Sequence, residues 1–504
     1  MTTADPNLLQ RCSIRLAQGS LRIGNQLQGV HLIRDINLLE TISHVTHERI
    51  PERVVHAKGS GAYGTFTVAN EANFNIADYT DADFLQQDAR TTDLFARFST
   101  VVGERGSADS VRDTRGYAFK LYTKDGNLDW VFFSTPTFPI RDGGKFPSFV
   151  HCQKRNPQTG VRDPTTGRTS FMSRNPEAFH TLMYIFSDAG TPRSYNYAMI
   201  HSVNTYKFTK IKPPQIGSND VQEEFHYVKL RFIPKLGVQN LNQAEAERLA
   251  GQDPDAYQRD LIQSIAMGQG PGWTVQAQII DPKDVANYPV NIFDPTKTWP
   301  ESVTPFRTFG SIDLNSIPDD FFEQVEQASF NPANVVPGWD VSPDPNTNFT
   351  YQQKVLQTRL FAYGSAARYR LGINNQQLPV NSARKNASPY NPTKRDGAGY
   401  VNSLLPRVQP NYFPAQGAPP RVLPQDVNIA AADLDQWSGG VIAYKSTVVD
   451  DDYTQPREVW ESYKAAGTDE TFVENVAMSL KNADFDVRQQ TYGKFSWVRD
   501  FLHE

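Results

Sequence analysis

The sequence has very little cysteine, no long apolar run and no marked excess of either charge. Only Cys12 and Cys152 occur among 504 residues, so a disulfide framework is excluded and a reducing compartment is favoured. No stretch is long enough to span a bilayer, and the N-terminus lacks the basic and apolar regions of a signal peptide. We therefore expect a cytoplasmic protein without a membrane partner.

The composition is that of a large globular protein. Hydrophobic residues make up 39% of the chain and charged residues 21%, which is typical of a fold with a sizeable core. The 50 lysine and arginine residues are balanced by 55 aspartate and glutamate residues, which leaves a net charge of -5. This balance gives no reason to expect nucleic acid as a partner.

Strand-like alternation dominates residues 51–305. Apolar side chains at every second position predict an antiparallel sheet with one buried face, within an α+β fold. The two clearest sets of alternating positions are Tyr117, Phe119 and Leu121, and Val228, Leu230 and Phe232.

The remaining segments have different patterns. Residues 1–50 are polar and are predicted to form an arm, whereas residues 306–430 are rich in proline and turns. A long irregular segment of this kind is expected to lie against other parts of the molecule. Residues 431–504 are predicted to be a helical region, because Phe472, Val476 and Leu480 recur on one helical stripe.

Arg359 and Tyr363 form the first candidate site. If their segment is helical, the two side chains stand four residues apart and share one face. A permanent cation beside a phenol favours the phenolate, which is an anionic ligand for ferric iron. An amphipathic helix with a surface arginine and a half-buried tyrosine explains the same spacing.

The chain as a whole resembles the monofunctional haem catalases. The matching phrases occur in family order: 48–59 (ERIPERVVHAKG), 97–101 (RFSTV), 106–109 (GSAD), 111–116 (VRDTRG), 146–149 (FPSF), 153–157 (QKRNP), 293–297 (FDPTK), 299–300 (WP), 323–327 (EQVEQ) and 395–397 (RDG). The sequence ends without the further domain of large-subunit catalases, so it resembles the small-subunit type.

This resemblance implies a fold, a cofactor and partners. The sheet is expected to close into an antiparallel β-barrel, and residues 306–430 become the wrapping segment that carries Tyr363 to the haem. Haem b is the implied cofactor, with Tyr363 as the axial ligand, as catalases use tyrosine. Some catalases also carry NADPH, which no feature of this sequence supports. A homotetramer with interlocked arms is the implied assembly.

The resemblance assigns His56 and Ser99 to the distal side of the haem. His56 would be the general base that takes a proton from bound peroxide and returns it to the departing oxygen. The hydroxyl of Ser99 would set the orientation of the imidazole. Outside this motif, a satisfied core histidine and an ordinary strand serine explain the two residues.

Further residues match positions around the haem. Arg53, Arg97 and Arg370 match the partners of the propionates, a task suited to permanently charged bidentate donors. Surface arginine is the alternative for each. The residues that match lining positions of the distal face and access channel are Val55, Phe138, Phe146 and Asp113. Core packing explains the three apolar ones equally well.

Two departures from the family pattern bear on the reaction. Phe133 stands where the family has an asparagine that donates a hydrogen bond to peroxide, and losing such a donor costs about a hundredfold in rate. An apolar Phe133 also favours a larger organic substrate. Asn204 stands where a histidine usually contacts the arginine that corresponds to Arg359.

Three functions remain compatible with these residues. The favoured prediction is a haem enzyme that acts on an organic hydroperoxide, or that uses peroxide to oxidise a small organic molecule. The second is disproportionation of hydrogen peroxide, since His56, Ser99, Arg359 and Tyr363 are all present. The third is a non-catalytic haem sensor, against which His56 argues, because passive binding needs no acid-base group.

Overall fold

A computed structural model of the chain describes residues 22–23, 30–31, 36–162, 164–212, 222–342, 354–383, 396–401 and 450–499. The strands are β1 Arg22–Ile23, β2 Val30–His31, β3 Gly59–Val68, β4 Thr91–Thr100, β5 Arg115–Thr123, β6 Gly126–Phe133, β7 Ile200–His201, β8 Tyr206–Lys212, β9 Gln222–Pro234, β10 Gly272–Ile280, β11 Arg307–Ser316 and β12 Trp339–Val341. The helices are α1 Ile36–His47, α2 Phe146–His151, α3 Pro164–Ser173, α4 Phe179–Phe186, α5 Gln243–Gln252, α6 Ala256–Ala266, α7 Lys354–Leu371, α8 Thr454–Ala466, α9 Asp469–Leu480 and α10 Phe485–Arg499. A π-helix spans Phe322–Glu326.

The central feature is a closed antiparallel barrel. Its eight strands follow the order β10, β11, β3, β4, β5, β6, β7 and β9, and pairing of β9 with β10 closes the ring. Strands β8 and β12 extend the sheet beyond β9. The predicted α+β fold with an antiparallel barrel is therefore confirmed. Strand β11 shows that the barrel continues past residue 305, into the range predicted for the wrapping segment.

The barrel interior is filled by aromatic and branched side chains. Phe66, Trp130, Phe232 and Trp273 are at most 1% exposed, and neighbouring rings meet edge-on or tilted at 5.5–6.3 Å. The alternating residues predicted from the sequence in β5 and β9 point into this core. Full burial of each such ring contributes roughly 1.5–3 kcal/mol, so the strand register is strongly specified.

The outer barrel face carries a row of directly paired residues. Gly59 pairs with Ser99, Ser99 with Gly116, and Gly116 with Phe133. Phe133 in turn pairs with His201. Residues directly opposite each other point to the same face of a sheet, so this row lies on the face opposite to the aromatic core.

The C-terminal helices pack on α3 and α4 in a second apolar cluster. Phe472, Val476 and Leu480 of α9 are buried there, as the helical stripe predicted. A buried ion cluster adjoins it, in which Arg141 contacts Glu177, Asp294 and Asp452. This arginine connects the segment after β6 to the C-terminal region.

Met1–Glu52 forms a separate compact unit from Arg53–Glu504. Its main described element is α1, which exposes Ile36, Leu39, Ile42 and Val45. Among the described residues, no helix combines the length and the apolar character needed to cross a membrane.

Arg141→Met tests the ion cluster. Burial alone would lower the pKa of Arg141, but Asp294 and Asp452 raise it above its ordinary value. Removing the cation leaves three buried carboxylates without it, so we expect the free energy of unfolding to fall by about 3–5 kcal/mol, measured by urea denaturation. Arg155→Met, which breaks an exposed ion pair with Glu104, is the control and should cost under about 1 kcal/mol. Equal losses in both variants would contradict the cluster's role.

Candidate active site

The backbone of His56 is held in an unusual conformation. Its φ is 61°, a left-handed value that costs a residue with a Cβ on the order of 1–3 kcal/mol. The amide of His56 donates to the carbonyl of Val101 at 3.0 Å, and its own carbonyl accepts from Nη1 of Arg97 at 3.0 Å. Hydrogen bonds thus fix both the backbone amide and the backbone carbonyl of His56. This fixes the position from which the side chain extends.

The imidazole of His56 lies against the outer barrel face. Its Nδ1 is 2.9 Å from Oγ of Ser99, and its ring centre is 5.8 Å from that of Phe133. Burial, together with the charges of Arg97 and Arg359, lowers the pKa of His56 to about 3. The structure therefore brings the two predicted distal residues together and keeps the imidazole neutral and able to accept a proton.

The carboxylate of Asp113 binds the backbone next to His56. Its Oδ2 accepts hydrogen bonds from the amides of Val101 and Val102, both at 2.8 Å. Because Val101 also receives the amide hydrogen of His56, the carboxylate fixes the turn on which His56 rests. Burial raises the pKa of Asp113, and its predicted channel role stays a prediction.

The predicted helical pair is present in α7. Nη2 of Arg359 donates to the phenol oxygen of Tyr363 at 3.3 Å and to the carbonyl of Val131 at 2.8 Å. Nη1 of Arg359 donates to Oδ1 of Asn204 at 2.5 Å, so the amide at this position still contacts the arginine. Burial would lower the pKa of Arg359, but Tyr363 and Tyr206 raise it above its ordinary value.

Two arginines contact a single carboxylate, and Arg97 lies close enough to add a third positive charge to the cluster. Arg53 and Arg370 lie 3.6 and 3.8 Å from Oε1 of Glu326, and both also donate to backbone carbonyls of Glu326 and Ala328. Burial and the neighbouring Arg97 and Arg370 lower the pKa of Arg53. Burial lowers the pKa of Arg97 to about 10. Burial and mutual repulsion thus disfavour the positive charges of these arginines.

The charge of this cluster fits a dianionic group. Three guanidinium groups and one carboxylate leave two positive charges without a counter-charge in the cluster. Within the described residues, Nη1 of Arg53 and Nε of Arg97 are buried without a hydrogen-bond acceptor. Buried polar groups are normally satisfied, and the two propionates of a haem would supply both the charge and the acceptors.

The apolar residues form a wall beside the distal imidazole. The ring of Phe133 is 5.7 Å from that of Phe138, and Phe138 is 5.8 Å from Phe149. Phe133 also lies 5.9 Å from Cζ of Arg359, so its side chain lies between the distal and the proximal residues. Phe146 begins α2 and is half-buried, as is Val55.

Comparison with known proteins gives the family. The family model described as catalase matches residues 10–418. The chain belongs to the catalase family. It is 48% identical over 467 residues to catalase A of Botryotinia fuckeliana, covering 91% of this chain and 90% of that protein. It is 41% identical to the peroxisomal catalase of Pichia angusta, with 93% of this chain and 87% of that protein covered.

A solved structure of a catalase has the same fold as this chain. Catalase A from Saccharomyces cerevisiae superposes with a TM-score of 0.85 at 37% identity, covering 96% of this chain and 94% of that one. The chain is therefore a haem-dependent oxidoreductase of the catalase family, with haem as its cofactor.

Glu326 was not singled out by the sequence analysis. It lies within the matched phrase 323–327, but no sequence pattern shows that its carboxylate meets Arg53 and Arg370. Only the fold brings these distant positions together. Asn204, which stands where the family usually has a histidine, still accepts a hydrogen bond from Arg359, and the sequence alone does not predict this contact.

The pH profile of peroxide consumption tests the state of His56. A histidine with an ordinary pKa near 6.5 would lose most of its base form by pH 5, whereas the pKa of His56 is about 3. We expect the rate per haem to stay within about twofold between pH 8 and pH 5, and to fall below pH 4. The measurement is initial rate against pH in matched ionic strength. A midpoint near pH 6.5 would contradict the lowered pKa of the imidazole.

Proposed function

We propose that the protein disproportionates hydrogen peroxide to water and oxygen. The observation that carries this proposal is the neutral imidazole of His56, hydrogen-bonded to Ser99, in a site that also holds a tyrosine backed by Arg359, with Phe133 near both His56 and Arg359. The names of the relatives as catalases support this function over an organic substrate. A passive haem sensor has no use for an acid-base group placed in this way.

The distal residues supply proton transfer. His56 accepts the proton of a bound peroxide on Nε2 and returns it to the departing oxygen, which promotes cleavage of the O–O bond. This role requires the tautomer in which Nδ1 carries the other proton and donates it to Oγ of Ser99. The clamped backbone of His56 keeps the imidazole in one position through both transfers.

The proximal and peripheral residues hold the cofactor. Tyr363 would be the iron ligand, and the cation of Arg359 stabilises its anionic form. Arg53, Arg97 and Arg370 would bind the propionates, as their uncompensated charge favours. When bound, the haem supplies the iron centre at which peroxide is reduced and oxidised.

An organic hydroperoxide is the second candidate substrate. Phe133 supports it, because an aromatic ring beside His56 and Phe138 replaces a hydrogen-bond donor by an apolar surface. Such a surface favours the carbon substituent of an alkyl hydroperoxide. A small organic co-substrate would contact the same apolar surface of Phe133 and Phe138.

The homotetramer expected from the family resemblance and the cytoplasmic location expected from the sequence are part of this proposal. Some relatives are named as peroxisomal catalases, so the compartment has to be determined by localisation of the tagged chain in cells.

His56→Ala tests the proposed function. Loss of general acid-base catalysis should lower the rate of oxygen release from hydrogen peroxide by about 10²- to 10⁴-fold, measured with an oxygen electrode and expressed per haem. His44→Ala, which removes an exposed imidazole of α1, is the control and should keep the parent rate. Oxygen release that survives His56→Ala would overturn the assigned role.

Phe133→Asn tests the altered distal pocket. An amide at this position restores a donor near the reacting oxygen, so oxygen release should rise by about ten- to a hundredfold. Phe133→Leu keeps the pocket apolar and should not produce this gain. If both variants change the rate equally, ring size rather than the missing donor decides it, and the proposed effect of Phe133 on hydrogen peroxide is discarded.

A further inference from the structure

Gly116 lies directly beneath the distal imidazole. It occupies the centre of the outer row, between Ser99 of β4 and Phe133 of β6. A Cβ built on Gly116 would lie 2.4 Å from Nδ1 and 2.6 Å from Cε1 of His56, and 2.7 Å from Oγ of Ser99. The imidazole therefore packs against the backbone of β5 at a position where a side chain would collide with it.

The imidazole of His56 cannot move away from an added methyl group without losing its hydrogen bond to Ser99. Real Cβ contacts lie at 3.4–4 Å, so an added methyl group requires a displacement of about 1 Å. The backbone of His56 is fixed through Val101 and Arg97, and Phe133 lies beside the ring. The displacement must therefore come from rotation of the imidazole or of the Ser99 hydroxyl, and either one separates Nδ1 from Oγ.

We propose that Gly116 is a positioning residue for peroxide decomposition, which acts by leaving the space that His56 and Ser99 share. This inference rests on the proposed function, since it requires His56 to be the proton-transfer group. In this role Gly116 acts on the reaction only through His56 and Ser99. The absence of a side chain at Gly116 allows the imidazole to adopt the orientation that sets the direction of Nε2 of His56.

The same observation separates Gly116 from glycines needed only for packing. At Gly61 in β3 the added Cβ would meet the ring of Phe95 at 2.7 Å, which belongs to another apolar cluster and not to His56. Gly61→Ala is thus a matched substitution, in a neighbouring strand of the same barrel, with a similar steric conflict. It allows a general loss of packing to be distinguished from a displaced imidazole.

The first test is the rate of oxygen release per haem in Gly116→Ala and in Gly61→Ala. A displacement of about 1 Å in a catalytic group lowers rates by about a hundredfold, so we expect a 30- to 100-fold loss in Gly116→Ala. Gly61→Ala should stay within about threefold. Haem content, read from absorbance, should be unchanged in both. A Gly116→Ala rate within threefold of the parent would overturn the inference.

The second test is a double-mutant cycle with His56→Ala. If Gly116 acts only through the imidazole, Gly116→Ala should have no effect on the residual rate once the ring is removed. The same loss in both backgrounds would overturn the positioning role. Should His56→Ala alone leave the rate intact, the proposed function fails; if His56→Ala abolishes the rate while Gly116→Ala preserves it, only the role of Gly116 fails.

Stability provides an independent readout of the same cycle. The fall in unfolding temperature caused by Gly116→Ala should be smaller in the His56→Ala background, because the colliding ring is absent there and only the close approach to Oγ of Ser99 remains. This comparison also serves if the single variant accumulates poorly. An undiminished fall in the double variant would show a conflict with the backbone instead, and would overturn the inference.

Discussion

The site depends on burying more positive charge than the surrounding side chains neutralise. Arg53 and Arg370 contact the single carboxylate of Glu326, with Arg97 near enough to feel its charge, and Arg359 lies buried beside a phenol. Burial of cations is unfavourable unless anions or acceptors compensate them. An anionic cofactor therefore completes this arrangement, and burial together with the same positive charges lowers the pKa of His56.

The barrel determines where the distal residues of this site lie. Its inner face is an aromatic core that fixes the strand register, and the register in turn places Ser99, Gly116 and Phe133 side by side on the outer face. His56 reaches this row from the segment before β3 in a strained conformation. The strain is local, and the hydrogen bonds that His56 donates to Val101 and accepts from Arg97 hold it in place.

Much of the fold and part of the site could be predicted from the sequence. Alternation in β5 and β9 reports which side chains face the core, and the spacing of Arg359 and Tyr363 predicts their contact because helix geometry is local. The distal pair of His56 and Ser99 followed only from the family resemblance. Glu326 and Gly116 could not be predicted, since their roles depend on contacts made by closure of the barrel and by the segment after it. Strand β11, Arg307–Ser316, lies beyond the range that the alternating pattern indicated for the barrel.

The central claim is that this site disproportionates hydrogen peroxide. The most direct measurement is the amount of oxygen released for each peroxide consumed by the purified ferric protein, with no organic donor added. The account predicts sustained release at the stoichiometry of disproportionation. Peroxide consumption that releases no oxygen, or that proceeds only with an organic donor, would contradict it and would assign the site to peroxidase chemistry.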